Sequence, residues 1–279
     1  MELGRRFFLL LAPVVLLWSS VPSAEPAVVR HVKGLVHGFL SLRSPEGAVI
    51  ANGDLIQDTR GGRVTSRLVY DVKDGSLQDE TAVFSQRAHF EMMSDHLVQK
   101  GPTLNARWMI DWPTGHVVVR YKNEHGEERV EDEHMDLPPD LADGVIITLL
   151  KGVRREALPP SVSLVAAMPK PRLVEVTMAI GGTEPFSVAG SAPKATHYFL
   201  KIEIGGIAAL VAPLVGKQPP DSHVWILDGE ASAFVRSQAA TFNGRSSLAD
   251  GPRESRLAQL TTSLVAVTSA GAAIDDARS

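Results

Sequence analysis

From about residue 30 to residue 243 the chain is written in alternation. Val64, Ser66, Leu68, Tyr70 and Val72 alternate with Thr65, Arg67, Asp71 and Lys73. Ala106, Trp108, Ile110 and Trp112 oppose Arg107 and Asp111, and Val117, Val119 and Tyr121 oppose His116, Arg120 and Lys122. The same period recurs in Val174, Val176, Met178 and Ile180 against Glu175 and Thr177, and in Tyr198, Leu200, Ile202 and Ile204 against His197, Lys201 and Glu203. A period of two with one apolar and one largely polar face predicts antiparallel strands, wet on one side. Turn signals punctuate the strands: Ser44-Pro45-Glu46-Gly47, Arg60-Gly61-Gly62, Asp74-Gly75, Pro113-Thr114-Gly115, His125-Gly126, Gly181-Gly182, Gly205-Gly206 and Asp228-Gly229. Each reads as a chain reversal, because glycine supplies positive φ and Asp tolerates it.

One stretch, Pro138 to Lys151, has helical spacing: Leu141, Val145 and Leu149 fall on one stripe, flanked by Ile146 and Leu150, with acids in the first turn and Lys151 at the end. Gly144 interrupts it. The prolines Pro159, Pro160, Pro169 and Pro171 mark loops between two halves of the meander. Ile207 to Val215 reads as a strand buried on both faces, with Pro213 placing it at an edge or bulge.

A flat meander of about a dozen strands at roughly 4.8 Å spacing would be on the order of 55 Å wide. A helix of about a dozen residues is only about 18 Å long. It cannot cover such a face, so the sheet must curl, close, or present an apolar groove to something else. The predicted fold is therefore all-β and mainly antiparallel: a strongly curved meander sheet or half-barrel with one short helix in its mouth. Trp108, Trp112, Val145 and Leu149 are the candidate lining of any hollow left there, with ordinary core packing as the alternative for the tryptophans. Trp225 lies in an all-apolar strand and fits the same core role.

Residues 1–24 have the three parts of a secretory signal peptide: Arg5-Arg6, an apolar run from Phe7 to Trp18, and small residues up to Ala24. The run is too short for a comfortable membrane span, which takes roughly 20 residues. Gly4 to Leu9 also resembles a twin-arginine motif, although so apolar a run fits the general secretory route. The expected organisation is a signal peptide at 1–24, a single β domain over 25–243 and a disordered tail over 244–279 rich in Ser, Ala, Arg and Asp. The expected location is periplasmic or extracellular, with no stable membrane span after cleavage. The chain has no cysteine, which excludes a disulfide framework and a lipidated N-terminal Cys. Losing Glu2, Arg5 and Arg6 makes the net charge of −4 one unit more negative. This leaves no basic footprint for nucleic acid.

The order of features resembles an uncharacterised family, a domain of unknown function, of secreted and periplasmic bacterial proteins related to the lipoprotein-carrier half-barrel superfamily. The residues that carry the resemblance are the strand Gly34 to Phe39, the hairpin Asp74-Gly75-Ser76-Leu77, the helix entry Leu137 to Asp143, the strand Ala195 to Tyr198 and the hairpin Val224 to Gly229. It spans roughly residues 30 to 243. The resemblance implies a curved sheet cupping short helical segments, with an apolar interior that in some relatives shelters acyl chains. It assigns no functional residue.

Catalytic signatures are weak. There is no Gly-x-Ser-x-Gly elbow, and Gly190-Ser191 sits beside Ala192-Pro193 as a turn. Asp79, Glu80, Asp111 and Asp132 are acids that sequence cannot bring to a working separation. The glycine pairs precede strands, whereas phosphate loops precede helices. His125, Glu127, Glu128, Glu131, Asp132, Glu133, His134 and Asp136 form the densest cluster of metal-ligand types, but alternate residues of a strand diverge. An acidic edge strand that resists aggregation explains them without a metal. No catalytic residue, metal or cofactor is expected. The expected function is a non-catalytic binding protein holding an apolar or lipid-like ligand. The alternatives are an envelope assembly factor acting through contact with another envelope protein and, third, a hydrolase.

Overall fold

A computed structural model describes residues 26–29, 35–43, 48–102, 105–123, 125–167, 170–186, 193–203, 221–229 and 232–239. The proposed signal peptide, the 244–279 tail, the turn at 44–47, the loop serine Ser191, the apolar run 207–215 and the turn Gly205-Gly206 lie outside these residues.

The fold is all-β, as the alternation predicts. Eight strands follow one another in chain order in the first sheet: β1 (Val36–Arg43), β2 (Val49–Arg60), β3 (Arg63–Val72), β4 (Leu77–Gln86), β5 (Phe90–Lys100), β6 (Ala106–Asp111), β7 (His116–Lys122) and β8 (Glu128–His134). The one α-helix among the described residues, α1 (Ile146–Gly152), precedes a second antiparallel meander of β9 (Ser161–Ala166), β10 (Arg172–Pro185), β11 (Lys194–Glu203), β12 (Ser222–Leu227) and β13 (Phe234–Ala239). The strands divide into two sheets at the helix. Neither is closed on itself: β1 and β8 are the edges of one, β9 and β13 of the other. No helix among the described residues is long and apolar enough to cross a membrane.

One core joins the two sheets. Leu97, Trp108, Ile110, Val117 and Val119 point inward from the first, and Val162, Leu164, Val176, Leu200 and Val224 from the second. Leu141, Ile146, Leu149 and Leu150 fill the space between them. Burying the inward set on each strand selects the register, because a slip of one residue would turn every apolar side chain to water.

Gly181-Gly182 is not a reversal: β10 runs straight through it, with a bulge between Ile180 and Gly182 opposite β11. Trp112 is not the last strand residue but opens a 3-10 turn, Trp112–Thr114, closed by Gly115. The helix starts at Ile146 rather than near Pro138, since Gly144 has φ +66° and ends any helical path before it. The preceding segment instead borders the second sheet, where Ala142 N–H donates to Ser163 O at 2.9 Å.

Gly144 is also tightly surrounded. A Cβ there would stand 3.0 Å from the Ala82 Cβ and 3.0 Å from Asp95 Oδ1. Gly144→Ala is therefore expected to cost about 2–3 kcal/mol, from the left-handed backbone plus the contacts. That corresponds to a fall in melting temperature of roughly 5–10 °C. Gly75→Ala, also at positive φ but with nothing within 4 Å, should cost about 1 kcal/mol. Equal losses in thermal unfolding would mean that the 144 loop is not held against the first sheet.

Candidate functional site

The segment from Leu137 to Ala157 acts as a plug between the sheets. It is fixed at both ends. Trp112 Nε1 donates to Pro138 O at 3.0 Å at its start. At its finish Arg155 is clamped to the second sheet, with Nε donating to Thr196 Oγ1 at 2.7 Å and Nη2 to Asp228 Oδ2 at 2.8 Å and Thr183 Oγ1 at 2.8 Å. Thr196, fully buried, also donates to Asp228 Oδ1.

Between the anchors the plug meets the first sheet through a polar layer. Gln57 is fully buried on β2, and its amide donates to Ser66 Oγ on β3 at 3.1 Å and to Thr148 Oγ1 on α1 at 2.8 Å. Further across the same face of the sheet, and on the plug above it, are three buried carboxyls: Glu80 of β4, Asp95 of β5 and Asp143 of the plug. Trp108 Nε1 donates to Asp95 Oδ2 at 3.2 Å, and the Val165 N–H donates to Asp143, 3.2 Å from both of its oxygens. Asp95 Oδ1 and Gln57 Oε1 are buried and meet no hydrogen-bond partner among the described residues. Lys151 is buried on the same helix.

Desolvation governs this cluster. It raises the Glu80 carboxyl well above its ordinary range, and the charges of Asp95 and Asp143 push in the same direction. Burial likewise lifts Asp143, reinforced by Asp95 and opposed by the Val165 N–H. Asp95 is pushed up to about 7 by burial, against the opposing hydrogen bonds from Trp108 and the His96 backbone. Like-charged neighbours out of water hold protons that exposed carboxyls would have lost.

All four residues named from sequence are brought to this region. Trp108, Val145 and Leu149 are buried in the shared core, and Trp112 packs against it half-buried. The sequence offers Glu80 only as one of several acids for hydrolytic chemistry and does not mark Asp95 or Asp143 as site residues. Asp95 escapes simple alternation because β5 carries a bulge opposite Val83/Phe84. Counting by twos from buried Met92 points Ser94 inward, whereas the bulge turns Asp95 in. Counting by twos back from Leu97 instead gives Asp95 the inward phase, which is the signal the sequence offers.

Beside α1 an open cleft of about 440 Å³ is lined by Leu150, Val153, Arg155, Tyr198 and Ile226 among others. A second, of about 520 Å³, lies over β1–β3 and includes His37, Phe39 and Ile56. On the outer face of the second sheet, Trp225 is sandwiched between Arg236, 4.0 Å above its ring, and His197, stacked at 4.3 Å. His197 Nε2 also lies 3.0 Å from His223 Nδ1.

No known family model matches the chain, and no curated protein matches it either. Among solved structures it is similar to a β-barrel-like protein of the domain of unknown function DUF1849 from Brucella abortus. The identity is 13% and the TM-score 0.39, over 75% of this chain and 91% of that one. The fission-yeast SREBP–SCAP binding domains give 10% identity and a TM-score of 0.17, over 84% and 70% respectively. Neither likeness supports a transfer of function.

The raised carboxyls make stability fall with pH. Their folded values lie above their unfolded ones, so the native state binds more protons. The contribution is full below about pH 4, the unfolded range. It is lost as pH rises through the folded value, about 7 for Asp95. Glu80→Gln, neutral at every pH, is expected to stabilise the protein at pH 8 by about 1–3 kcal/mol and to flatten the decline between pH 5 and 8. Urea unfolding at the two pH values reads both; an unchanged slope in the variant would show that Glu80 carries no part of it.

Proposed function

We propose that the chain is an exported, non-catalytic binding protein, with the plug as a displaceable cover over the apolar trough between its sheets. The observation that carries this reading is the polar layer beneath the plug. Apolar side chains of similar volume would hold α1 more tightly than half-satisfied amides and neighbouring carboxyls do. An interface so built lowers the cost of lifting the helix. With α1 seated, Trp108, Val145 and Leu149 fill the core, so an apolar ligand enters only as the plug leaves. The open cleft beside Leu150 and Ile226, whose lining also carries Arg154, Glu156 and Asp228, adjoins the end of the plug. The signal-like N-terminus and the resemblance to the lipoprotein-carrier half-barrels support export and a lipid-like occupant.

A second reading has its own support. Phe39 and Ile56 are 56% and 45% exposed beside the edge strand β1, an apolar margin that suits pairing with another envelope protein.

The test is native mass spectrometry of the protein purified gently from the exporting host, followed by organic extraction. A lipid at fixed stoichiometry is expected, and it should be depleted in Glu80→Met, which makes the layer under α1 more apolar. A clean apo mass for wild type at both pH 6 and pH 8 would sink the carrier reading and turn attention to capture through β1.

A further inference from the structure

The outer face of the first sheet assembles a donor set that sequence scatters over two strands. His116 on β7 and His134 on β8 are direct cross-strand partners, their imidazoles stacked 4.8 Å apart with planes 15° from parallel. Asp132, two residues before His134 and so on the same face, places Oδ1 2.8 Å from His116 Nε2. One ligand atom from each of the three lies within 4.8 Å of the others. Their inward neighbours Val117 and Val119 are fully buried, which turns all three donors to solvent.

We propose that His116, Asp132 and His134 form a site for a divalent transition-metal ion of the zinc class, which ties the edge strand β8 to β7. Two imidazole nitrogens and one carboxylate oxygen are borderline donors that suit zinc and its neighbours rather than calcium or magnesium. Three protein ligands leave a fourth position for water or a further donor. Bonds of about 2.0–2.1 Å in a tetrahedron separate ligand atoms by about 3.3 Å. The set must therefore contract, which solvent-facing side chains do by χ rotation without disturbing the core. The His116–Asp132 contact is already closed, and binding replaces the proton between them with the ion.

The neighbours fit this assignment. Among the described residues β8 pairs with the sheet on one side only, and its acids Glu128, Glu131 and Glu133 outnumber its one cation, Arg129, which is paired with Glu127. Arg120 and Lys122 of β7 lie opposite Val130 and Glu128, toward the far end of the strand. Glu133 points to the other face and pairs with Lys170 at 2.9 Å, which removes it from the set. Asp111, the β6 partner of His116, accepts the Thr114 hydroxyl at 2.5 Å and stays outside it. The other histidine pair, His197 and His223, turns its nitrogens on each other, and its nearest carboxylate, Glu184, is 3.7 Å away and shared with Arg236. That arrangement lacks the anionic donor that the edge cluster has.

The chain has nine histidines, so stoichiometry alone would not locate a site and variants must. Calorimetric titration of the full purified chain with Zn²⁺ is expected to show one equivalent bound and a higher melting temperature that EDTA reverses. His116→Gln, His134→Gln and Asp132→Asn should each weaken binding at least about tenfold, since even the loss of an outer partner of a ligand costs this much. Each should also abolish the thermal shift, while His223→Gln behaves as wild type. Because the three side chains face solvent, the metal-free variants should melt close to wild type; should one fail to fold, the other two give the same readout. No uptake at one equivalent, or uptake unchanged in all three variants, overturns the proposal.

Discussion

The structure depends on how a trough between two open sheets is closed with very little helix. Among the described residues nearly all of the thirteen strands carry apolar positions on their inner face, and the one α-helix that meets them has seven residues. Such a helix has almost no stability of its own, since isolated helices below about 12–15 residues are marginal in water. It holds its place through Leu149, Leu150 and Ile146 against both sheets and through anchors at either end of its segment. The Arg155 clamp matters most for the second sheet: it gathers Thr183 on β10, Thr196 on β11 and Asp228 after β12 onto one guanidinium, fixing three parts of that sheet to the plug.

Most of this framework was legible in the alternation, because a strand buried on one face must write its period into the chain. What could not be read were the local breaks in that period. The pair Gly181-Gly182 carries the same composition as a hairpin turn, and only the pairing of β10 with β11 on both sides of it shows a bulge. At Gly144 the pattern of Leu141, Val145 and Leu149 is genuinely helical in spacing, yet the intervening φ of +66° makes it a turn followed by a short helix. Neither outcome is encoded in residue type alone.

The candidate sites divide along the same line. Trp108, Val145 and Leu149 are legible as buried positions because core residues announce themselves by periodicity. The carboxyl cluster was not, because Glu80, Asp95 and Asp143 come from two strands and a loop and meet only in the fold. His134 was visible within its acidic strand, but its partner His116 lies beyond a hairpin loop, and strand register alone sets them opposite each other. Cross-strand chemistry of this kind needs the register, and register is a tertiary property.

The two clusters differ in what the fold concedes to hold them. His116, Asp132 and His134 stand in water, where unpaired polar groups cost little. Glu80, Asp95 and Asp143 stand in the core, where each ionised carboxyl and each orphaned oxygen costs on the order of 1–3 kcal/mol. Methionine at Glu80 would remove that cost, whereas an apolar side chain at Asp95 or Asp143 would leave Trp108 Nε1 or the Val165 N–H unpaired. At Glu80, at least, the layer is not the most stable filling of this space. Under the proposed binding function, what the layer contributes is a narrow gap between a seated and a lifted plug, and a gap whose width falls as the pH rises and the carboxyls ionise. Within the proposed binding function, the destabilising groups are thus placed where weakness is useful: along the one surface that must part for the trough to open.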